Sequence, residues 1–381
     1  MINQDRLKEH LLGLLATDSV SRHEKAIAEK LRRDLEALGA AVEMDDAGER
    51  VKGDSGNLIA RLSGVVASAP PLLLEAHMDT VVPGEGVKPI VQGHIVRSDG
   101  STVLGGDDKT GVAAIVEAVR ALKESGAPHG DLEVVFTICE EVGLLGAKHL
   151  DVSRLRSKMG LILDSDEVTH LYIKAPSAEA YRFKIHGLAA HAGIWPERGI
   201  SAIRIASEAI AAMKLGRIDE ETTANVGTIS GGAARNIVPQ YVEMRGEARS
   251  HSEAKLEEQR RHMMRCFEEA AARHRVVVEG AEHAGRVETV VERDYERMDV
   301  PEDAPIVLLT KQAGTDVGLE IETKATGGGS DANVFNRKGI VSVILGTGMR
   351  DVHTVNEWLD VREVTKAAAV VLGVIRLAAA K

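Results

Sequence analysis

The first part of the chain alternates short apolar runs with segments of helical periodicity. Apolar residues recur at helical spacing over 23–38 and Gly39 follows them, which predicts an amphipathic helix that ends there. A second helix is predicted over 110–123. Apolar runs that predict buried strands lie at 57–62, 72–76, 132–138 and 161–163. Strands that alternate with helices are typical of an α/β fold with a largely parallel sheet.

From about residue 176 the order becomes strand, helix, strand, strand, helix, strand, which is the split βαβ arrangement of a ferredoxin-like α+β layer. After Pro301 the α/β pattern returns, with predicted elements at 306–312, 341–345 and 361–379. We therefore expect a discontinuous α/β domain of residues 1–175 and 297–381, in which a mixed sheet is flanked by helices. An inserted α+β domain of residues 176–296 would interrupt it.

Composition narrows the class of protein. The chain has 381 residues, 44% hydrophobic and 28% charged, which is typical of a globular protein with two domains. Aromatic residues make up only 3%, which predicts an aliphatic core. The 47 basic and 58 acidic residues give a net charge of −11, so nucleic acid and anionic membranes are disfavoured as partners.

The terminal segments and the cysteines favour a cytoplasmic location. The first residues, MINQDRLKEHLLGLL, mix charged and apolar positions and lack the pattern of a signal peptide. The apolar run at 367–375 is far shorter than the roughly 20 residues that a membrane span needs. Cys139 and Cys266 are the only cysteines, which cannot supply a disulfide framework.

Two clusters of polar residues follow apolar segments or loops in the first part of the chain. His77 and Asp79 lie two residues apart where a buried strand should end, so Asp79 is placed to orient a metal-binding histidine. Asp107 and Asp108 lie in LGGDDKTG just before a helix. Acidic residues also suit the positive end of a helix dipole, so this cluster alone is equally typical of a helix start.

Three further positions extend the pattern. Glu140 and Glu141 follow the strand 132–138, and adjacent side chains at a strand end point in different directions, so one can bind a metal while the other reaches a water molecule. Asp164 follows another apolar strand, and His353 lies in a loop near the end of the chain. Taken singly each residue is typical of an ordinary turn, but open α/β sheets gather their binding groups at such strand ends.

The motifs resemble those of the dinuclear metallopeptidase family that includes peptidase T, glutamate carboxypeptidase, aminoacylase and succinyl-diaminopimelate desuccinylase. The likeness covers nearly the whole chain in the family's order, and LGGDDKTG is most similar to peptidase T. The motifs that carry it are HMDT, LGGDDKTG, CEEVG, ILDSD, GGAARNIVP, GGGSDAN and GTGMRDVHTVNEW.

The resemblance implies two zinc ions held by five ligands, with cobalt or manganese compatible with the same donors. His77, Asp107 and Asp164 would hold one ion, and Asp107, Glu141 and His353 the other, with Asp107 as the bridge. Asp108 is the rival of Asp107, and Asp166 is the rival of Asp164. Glu140 would be the general base and Asp79 would orient His77.

For the inserted domain, the resemblance implies a lid that contacts the substrate and can form a homodimer. His191 would stabilise the developing oxyanion, sometimes from a partner subunit. Asn236 and Arg249 would contact polar groups of the substrate, and the backbone at Gly328 would form a wall of the cleft. We expect an aminopeptidase of the tripeptidase kind that acts on short peptides. A deacylase or carboxypeptidase of the same family is the alternative.

Overall fold

The computed structural model describes residues 1–380. The α-helices are α1 (Gln4–Leu15), α2 (Lys25–Ala37), α3 (Ala47–Val51), α4 (Gly106–Ser125), α5 (Leu145–His149), α6 (Ala202–Ala212), α7 (Glu253–Ala272), α8 (Pro305–Asp316), α9 (Asp331–Arg337) and α10 (Val361–Ala379). The strands are β1 (Ala41–Met44), β2 (Leu58–Leu62), β3 (Leu72–His77), β4 (Ile90–Gln92), β5 (Ile95–Arg97), β6 (Leu132–Thr137), β7 (Met159–Ile162), β8 (His170–Ala175), β9 (Ser177–His186), β10 (Gly216–Arg217), β11 (Thr222–Gly231), β12 (Tyr241–Ser250), β13 (Arg275–Val278), β14 (Ala281–Ala284), β15 (Arg286–Tyr295), β16 (Met298–Asp299), β17 (Glu322–Ala325), β18 (Val341–Leu345), β19 (Met349–Arg350) and β20 (Trp358–Asp360).

The chain divides into two compact units. The first unit comprises Met1–Lys174, Met298–Thr326 and the segment from Ser330 onward. The second unit comprises Ala175–Arg297 together with Gly327–Gly329. The domain predicted at 176–296 covers nearly the same stretch of chain as the second unit, whereas the inclusion of Gly327–Gly329 in that unit was not predicted.

The main sheet of the first unit is mixed, as predicted, with the strand order β1-β2-β6-β3-β7-β18-β8-β16 and β17 paired to β8. Its centre is parallel, because β3 pairs in parallel with β6 and β7, and β18 pairs in parallel with β7. His77 lies opposite Thr137 in this register. The carboxyl ends of the central strands therefore meet at one edge of the sheet, which is where the candidate residues of HMDT, CEEVG and ILDSD lie.

In sequence, the segment Ala175–Arg297 of the second unit lies between two strands that are neighbours in the main sheet. The chain leaves after β8 and returns in β16, which is adjacent to β8 in the strand order. The main-chain N–H of Val300, just after β16, donates to the carbonyl oxygen of Ile173 in β8 at 2.8 Å. The outgoing and returning ends of the chain are thus held side by side.

Helix α4 runs through the interior of the first unit. It packs against α1, α10 and β3, and it is buried along most of its length by small and aliphatic residues such as Val112, Ile115 and Val119. Gly126, in the left-handed region at φ 62°, ends the helix. None of the helices within residues 1–380 is both long enough and apolar enough to cross a membrane.

A small antiparallel sheet, β19-β20-β5-β4, lies apart from the main sheet. The sequence analysis did not predict it, because strands of two or three residues are too short to show an alternating pattern. It matters for the site because it fixes the chain on either side of the loop that carries His353.

The second unit confirms the predicted split βαβ order. Its antiparallel sheet runs β10-β11-β12-β9-β15, and α6 and α7 pack on it. Its core contains Tyr181, Phe183 and Phe267, with the rings of Phe183 and Phe267 stacked at 4.1 Å between centroids. Most of the other residues of this core are aliphatic, as expected, and the three aromatic residues are gathered within it.

Candidate metal centre

Asp107 lies between two histidines that are far apart in sequence. Its Oδ1 is 3.0 Å from Nε2 of His77, and its Oδ2 is 3.2 Å from Nε2 of His353. His77 ends the central strand β3, whereas His353 lies in the loop between β19 and β20 with a positive φ of 62°. Each carboxylate oxygen of Asp107 thus faces a different imidazole, which is the arrangement that a bridging ligand requires.

Glu141 and Asp164 complete the cluster. Oε1 of Glu141 lies 2.9 Å from Nε2 of His353, and Oδ1 of Asp164 lies 3.9 Å from Nε2 of His77. One ligand atom from each of His77, Asp107 and Glu141 lies within 4.8 Å of the other two. The structure therefore brings together all five residues that the sequence predicted as metal ligands.

The two rival carboxylates, Asp108 and Asp166, both accept hydrogen bonds from other groups. Asp166 accepts a hydrogen bond from the hydroxyl of Tyr172 at 2.8 Å and is about half exposed. Asp108 is near enough to group with His77 and Asp164, but its oxygens accept the main-chain N–H groups of Gly111 at 3.1 Å and His77 at 3.3 Å. These contacts favour Asp107 as the bridge and Asp164 over Asp166.

Gly111 lets the start of α4 approach the end of β7. A Cβ atom at this position would lie 2.1 Å from the main-chain oxygen of Leu163, the residue before Asp164. The first turn of the helix is irregular, with non-helical φ and ψ at Asp107 and Asp108. The last glycine of LGGDDKTG, Gly111, is therefore explained by close packing, which brings Asp107 near Asp164.

Asp79 organises the segment that carries Glu140 and Glu141. Its buried carboxylate accepts the main-chain N–H of Glu140 at 2.9 Å, that of Glu141 at 3.3 Å and the hydroxyl of Ser21 at 2.6 Å. The nearest contact between Asp79 and the ring of His77 is made by the main-chain oxygen of Asp79, 2.9 Å from Nδ1, with the carboxylate oxygen at 3.5 Å. Strand β3 ends at His77, so the alternation assumed from the sequence does not extend to Asp79.

Carboxylates outnumber histidines among these groups, and their pKa values shift accordingly. Burial raises the pKa of Glu140 and of Glu141, and burial followed by the charge of Asp107 raises the pKa of Asp164. Burial alone would also raise the pKa of Asp107, but contacts with the two histidines outweigh it and lower this pKa. Hydrogen bonds to Asp107 and Glu141 raise the pKa of His353 to about 10.

The residues present fit a pair of divalent cations. Imidazole nitrogen and carboxylate oxygen are donors that suit zinc, and cobalt and manganese accept the same set. The buried carboxylates repel one another, and a cation between them would relieve that repulsion. The second ring nitrogen of His77 is already held by a main-chain oxygen, as is usual for a histidine that binds a metal.

A network of buried polar groups behind the centre was missed by the sequence analysis. The hydroxyl of Thr137 lies 3.0 Å from Oε1 of Glu75 and 2.6 Å from Oδ2 of Asp331. Asp331 belongs to GGGSDAN, which the sequence analysis used for the resemblance without giving this residue a role. The signal that could have found Glu75 is a lone acidic residue within the apolar run Leu72–His77.

The four predicted substrate contacts all lie in the second unit. His191 and Asn236 are on neighbouring segments, because His191 bridges to Ile237 and the N–H of Ala192 donates to the main-chain oxygen of Asn236 at 2.9 Å. Arg249 lies on β12 and its guanidinium contacts Glu247 at 3.0 Å. Gly328 belongs to the short glycine segment of the same unit.

A cavity of about 570 Å³ borders Glu141 in the first unit. Its apolar wall includes Val20, Val82 and Val142, and its rim carries charged groups such as Glu85. The N–H of Thr80 donates to the oxygen of Ser19 at 2.9 Å, and the N–H of Ser21 donates to the oxygen of Thr80 at 3.2 Å, so two walls are tied together. A space of this size beside Glu141 can hold part of a small ligand.

Comparison with solved structures shows the same architecture over the whole chain. The aminopeptidase PepT of Bacillus cereus is 40% identical with a TM-score of 0.89, and a tripeptidase of Staphylococcus aureus is 38% identical with a TM-score of 0.93. In both comparisons all of each chain is covered.

Sequence comparison gives the same result. The YqjE protein of Bacillus subtilis is 43% identical over 380 residues, covering all of both chains. Peptidase T of Edwardsiella ictaluri is 28% identical over 289 residues, which are 75% of this chain and 68% of that protein. The model of peptidase family M20/M25/M40 matches residues 73–377, a range that contains every residue of the candidate centre. With this match and the relatives at 40% identity or more, the chain belongs to peptidase family M20/M25/M40.

Proposed function

We propose that the protein is a two-metal aminopeptidase that removes the first residue from tripeptides and similar short peptides. The observation that carries the proposal is Asp107, whose two oxygens face His77 and His353 within 3.2 Å while Glu141 and Asp164 stand beside them. Two solved structures that are 40% and 38% identical to this chain are an aminopeptidase and a tripeptidase, which supports this substrate class over a deacylase or carboxypeptidase.

The proposed ligands follow from the contacts described above. His77, Asp107 and Asp164 would hold one zinc ion, and Asp107, Glu141 and His353 would hold the other. When bound, such a pair supplies Lewis acidity that activates water and polarises the scissile carbonyl.

Glu140 is the proposed general base. It is buried, and its main-chain N–H donates to Asp79. Its side chain is not part of the contacts described above between the five proposed ligands. Burial raises its pKa, which suits a group that accepts a proton from the attacking water and then donates it to the departing amine. Asp79 would orient His77, whose Nδ1 lies 2.9 Å from its main-chain oxygen, and would hold the Glu140 and Glu141 segment in place.

Substrate contacts from the second unit remain part of the proposal. His191 would donate to the oxyanion, Asn236 and Arg249 would bind polar groups of the peptide, and Gly328 would present its backbone. Substitution of His191 by Ala should then lower kcat more than it raises KM, because an oxyanion donor acts mainly in the transition state.

A panel of substrates tests the activity. Zinc-loaded enzyme should release the first amino acid from free tripeptides and fail on the same peptides with an acetylated amino group. Release from the carboxyl end, or cleavage of N-acyl amino acids in preference to free peptides, would replace the aminopeptidase with the alternative activity.

The proposal includes a homodimer formed through the second unit. Strand β10 pairs with β11 only at Thr223 and Ala224, so the later part of β11 is an edge that carries the exposed Ile229. Such an edge can pair with the same edge of a second copy. Sedimentation velocity should give about twice the mass of one chain, and a monomer at micromolar concentration would refute the dimer.

We also propose that the protein works in the cytoplasm. Both cysteines are buried and free, which suits a reducing compartment. Fractionation of the cells that make the protein should recover it with cytoplasmic markers.

A further inference from the structure

Glu357 lies four residues after His353 and just before β20, and its side chain is almost completely buried. Its carboxylate does not join the candidate ligands. Oε2 accepts the main-chain N–H groups of Leu104 at 2.7 Å and Gly105 at 2.8 Å, and Oε1 accepts that of Asp107 at 3.0 Å. One side chain therefore binds three main-chain donors of the loop that leads to Asp107.

These donors lie at and just before the irregular first turn of α4, in which Asp107 and Asp108 have non-helical φ and ψ. Residue Gly105 occupies the cap position and has no side chain that could accept the free N–H groups of the first turn. A negative charge at this end of a helix is favoured by its dipole. Glu357 thus binds the main chain that leads into α4 from about 250 residues away in sequence, whereas the N–H of Gly111 further along the helix is bound by Asp108.

The position of Glu357 connects two ligand-bearing segments. Its main-chain N–H donates to the oxygen of Thr354 at 3.2 Å, next to His353, while its carboxylate holds the main chain of Asp107. The packing around it is close, since a Cβ atom at Gly106 would lie 3.0 Å from Oε1 of Glu357. A shift of this carboxylate would move the Asp107 loop relative to the His353 loop.

We propose that Glu357 is a positioning residue for the metal centre, which fixes Asp107 relative to His353 by binding the N–H groups of Leu104, Gly105 and Asp107. This inference rests on the proposed metal centre and does not depend on which peptide is cleaved. In this proposal Glu357 contacts neither the side-chain donor atoms of the metal ligands nor the substrate.

Glu357→Gln is the informative change. The amide replaces one acceptor oxygen by a donor NH₂ group, which then faces either the N–H of Asp107 or the two N–H groups of Leu104 and Gly105. Two donors cannot form a hydrogen bond with each other, so at least one of the three hydrogen bonds to the loop is lost. The size of the side chain stays nearly the same.

Glu133 provides a matched control in the same unit. It is buried at the start of β6, and its carboxylate accepts the main-chain N–H groups of Arg156 at 3.0 Å and Ser157 at 2.8 Å. It lies at the opposite end of β6 from Thr137, the residue that pairs with His77. Glu133→Gln therefore removes comparable hydrogen bonds to main-chain N–H groups at a place remote from the candidate metal centre.

The experiment measures zinc stoichiometry and affinity by competition with a chromogenic chelator, on metal-free proteins whose urea unfolding midpoints are also measured. Glu357→Gln should weaken the binding of at least one zinc ion by about 10-fold to 100-fold, as is typical when groups that orient ligands are changed. Glu133→Gln should lower the unfolding midpoint and leave both zinc affinities within about twofold of the wild type, a margin of about 0.4 kcal/mol by the relation of free energy to Kd.

The outcomes separate the two proposals. If Glu357→Gln binds two zinc ions with the affinities of the wild type, the positioning role is refuted and the metal centre stands. If the wild type itself binds fewer than two zinc ions, the metal centre fails first. If Glu357→Gln does not fold, Glu357→Asp, which keeps the charge on a shorter side chain, takes its place, and unchanged zinc affinity in that variant would refute the positioning role.

Discussion

Replacement of Asp79 tests how the Glu140 and Glu141 segment is held. In Asp79→Ala the main-chain N–H groups of both glutamates lose their acceptor, whereas the hydroxyl of Ser21 can rotate toward another partner. A buried N–H without a partner costs about 1–3 kcal/mol, so two of them should lower the free energy of unfolding by about 2–6 kcal/mol. Asp79→Asn keeps one acceptor oxygen and should lose about half as much.

Activity should fall further than stability alone explains. The two freed N–H groups belong to the proposed base and to a proposed ligand, and displacement of reacting groups by about 1 Å can reduce the rate about 100-fold. We expect kcat/KM on a tripeptide to fall at least that much in Asp79→Ala, measured at a temperature where the variant is folded. Urea denaturation followed by circular dichroism gives the stability.

Asp131 serves as the control for this pair of measurements. Its carboxylate accepts the N–H of Gly64 at 2.8 Å and contacts Arg156 just before β6 begins, at the edge of the sheet opposite His77. Asp131→Ala should lose stability and keep kcat/KM. If Asp79→Ala unfolds at the urea concentration of the wild type and turns over normally, the structural reasoning about Asp79 is wrong.

Four further changes test other parts of the structure. Glu140→Gln should keep two metals by elemental analysis while kcat falls about 100-fold or more, and normal turnover would remove Glu140 as the base. Gly111→Ala should reduce zinc stoichiometry, because its Cβ would meet the main chain of Leu163 at 2.1 Å; full zinc occupancy in this variant would contradict the packing argument. Val142→Trp should narrow the cavity beside Glu141 and lower kcat/KM for peptides with bulky aliphatic residues more than for glycine or alanine peptides; equal effects on both would exclude this cavity as a side-chain pocket. Phe267→Ala should lower the free energy of unfolding by about 3–5 kcal/mol in urea, because the ring is fully buried against Phe183, and a loss below 1 kcal/mol would contradict that packing.

The sequence predicted the parts of the site that occupy fixed places in an α/β sheet. His77 and Asp164 follow parallel strands, and apolar runs mark such strands plainly. The nearness of the residues at the ends of those strands followed from the fold class, whereas the strand order was not predicted. The choice of Asp107 over Asp108 needed the family likeness, because two adjacent acidic residues before a helix look alike in sequence.

Contacts between side chains and distant main-chain groups could not be predicted in this way. Glu357 and Asp79 act through N–H groups of other segments, and a main-chain donor leaves no mark on the sequence of the segment that supplies it. The hydrogen bond from the hydroxyl of Ser21 to Asp79 was not foreseen either, because the two residues lie in separate segments of the chain. Short strands such as β19 and β20 were missed because two or three residues carry no periodicity.

The adjacency of β8 and β16 makes the segment Ala175–Arg297 removable as a cassette. A graft that joins residue 174 to residue 298 through a turn of a few residues would close the sheet edge without stretching either strand, because the two ends already lie side by side. The same junction would accept a different inserted module, so the inserted segment and the scaffold that carries the candidate centre can be exchanged by recombination as separate pieces.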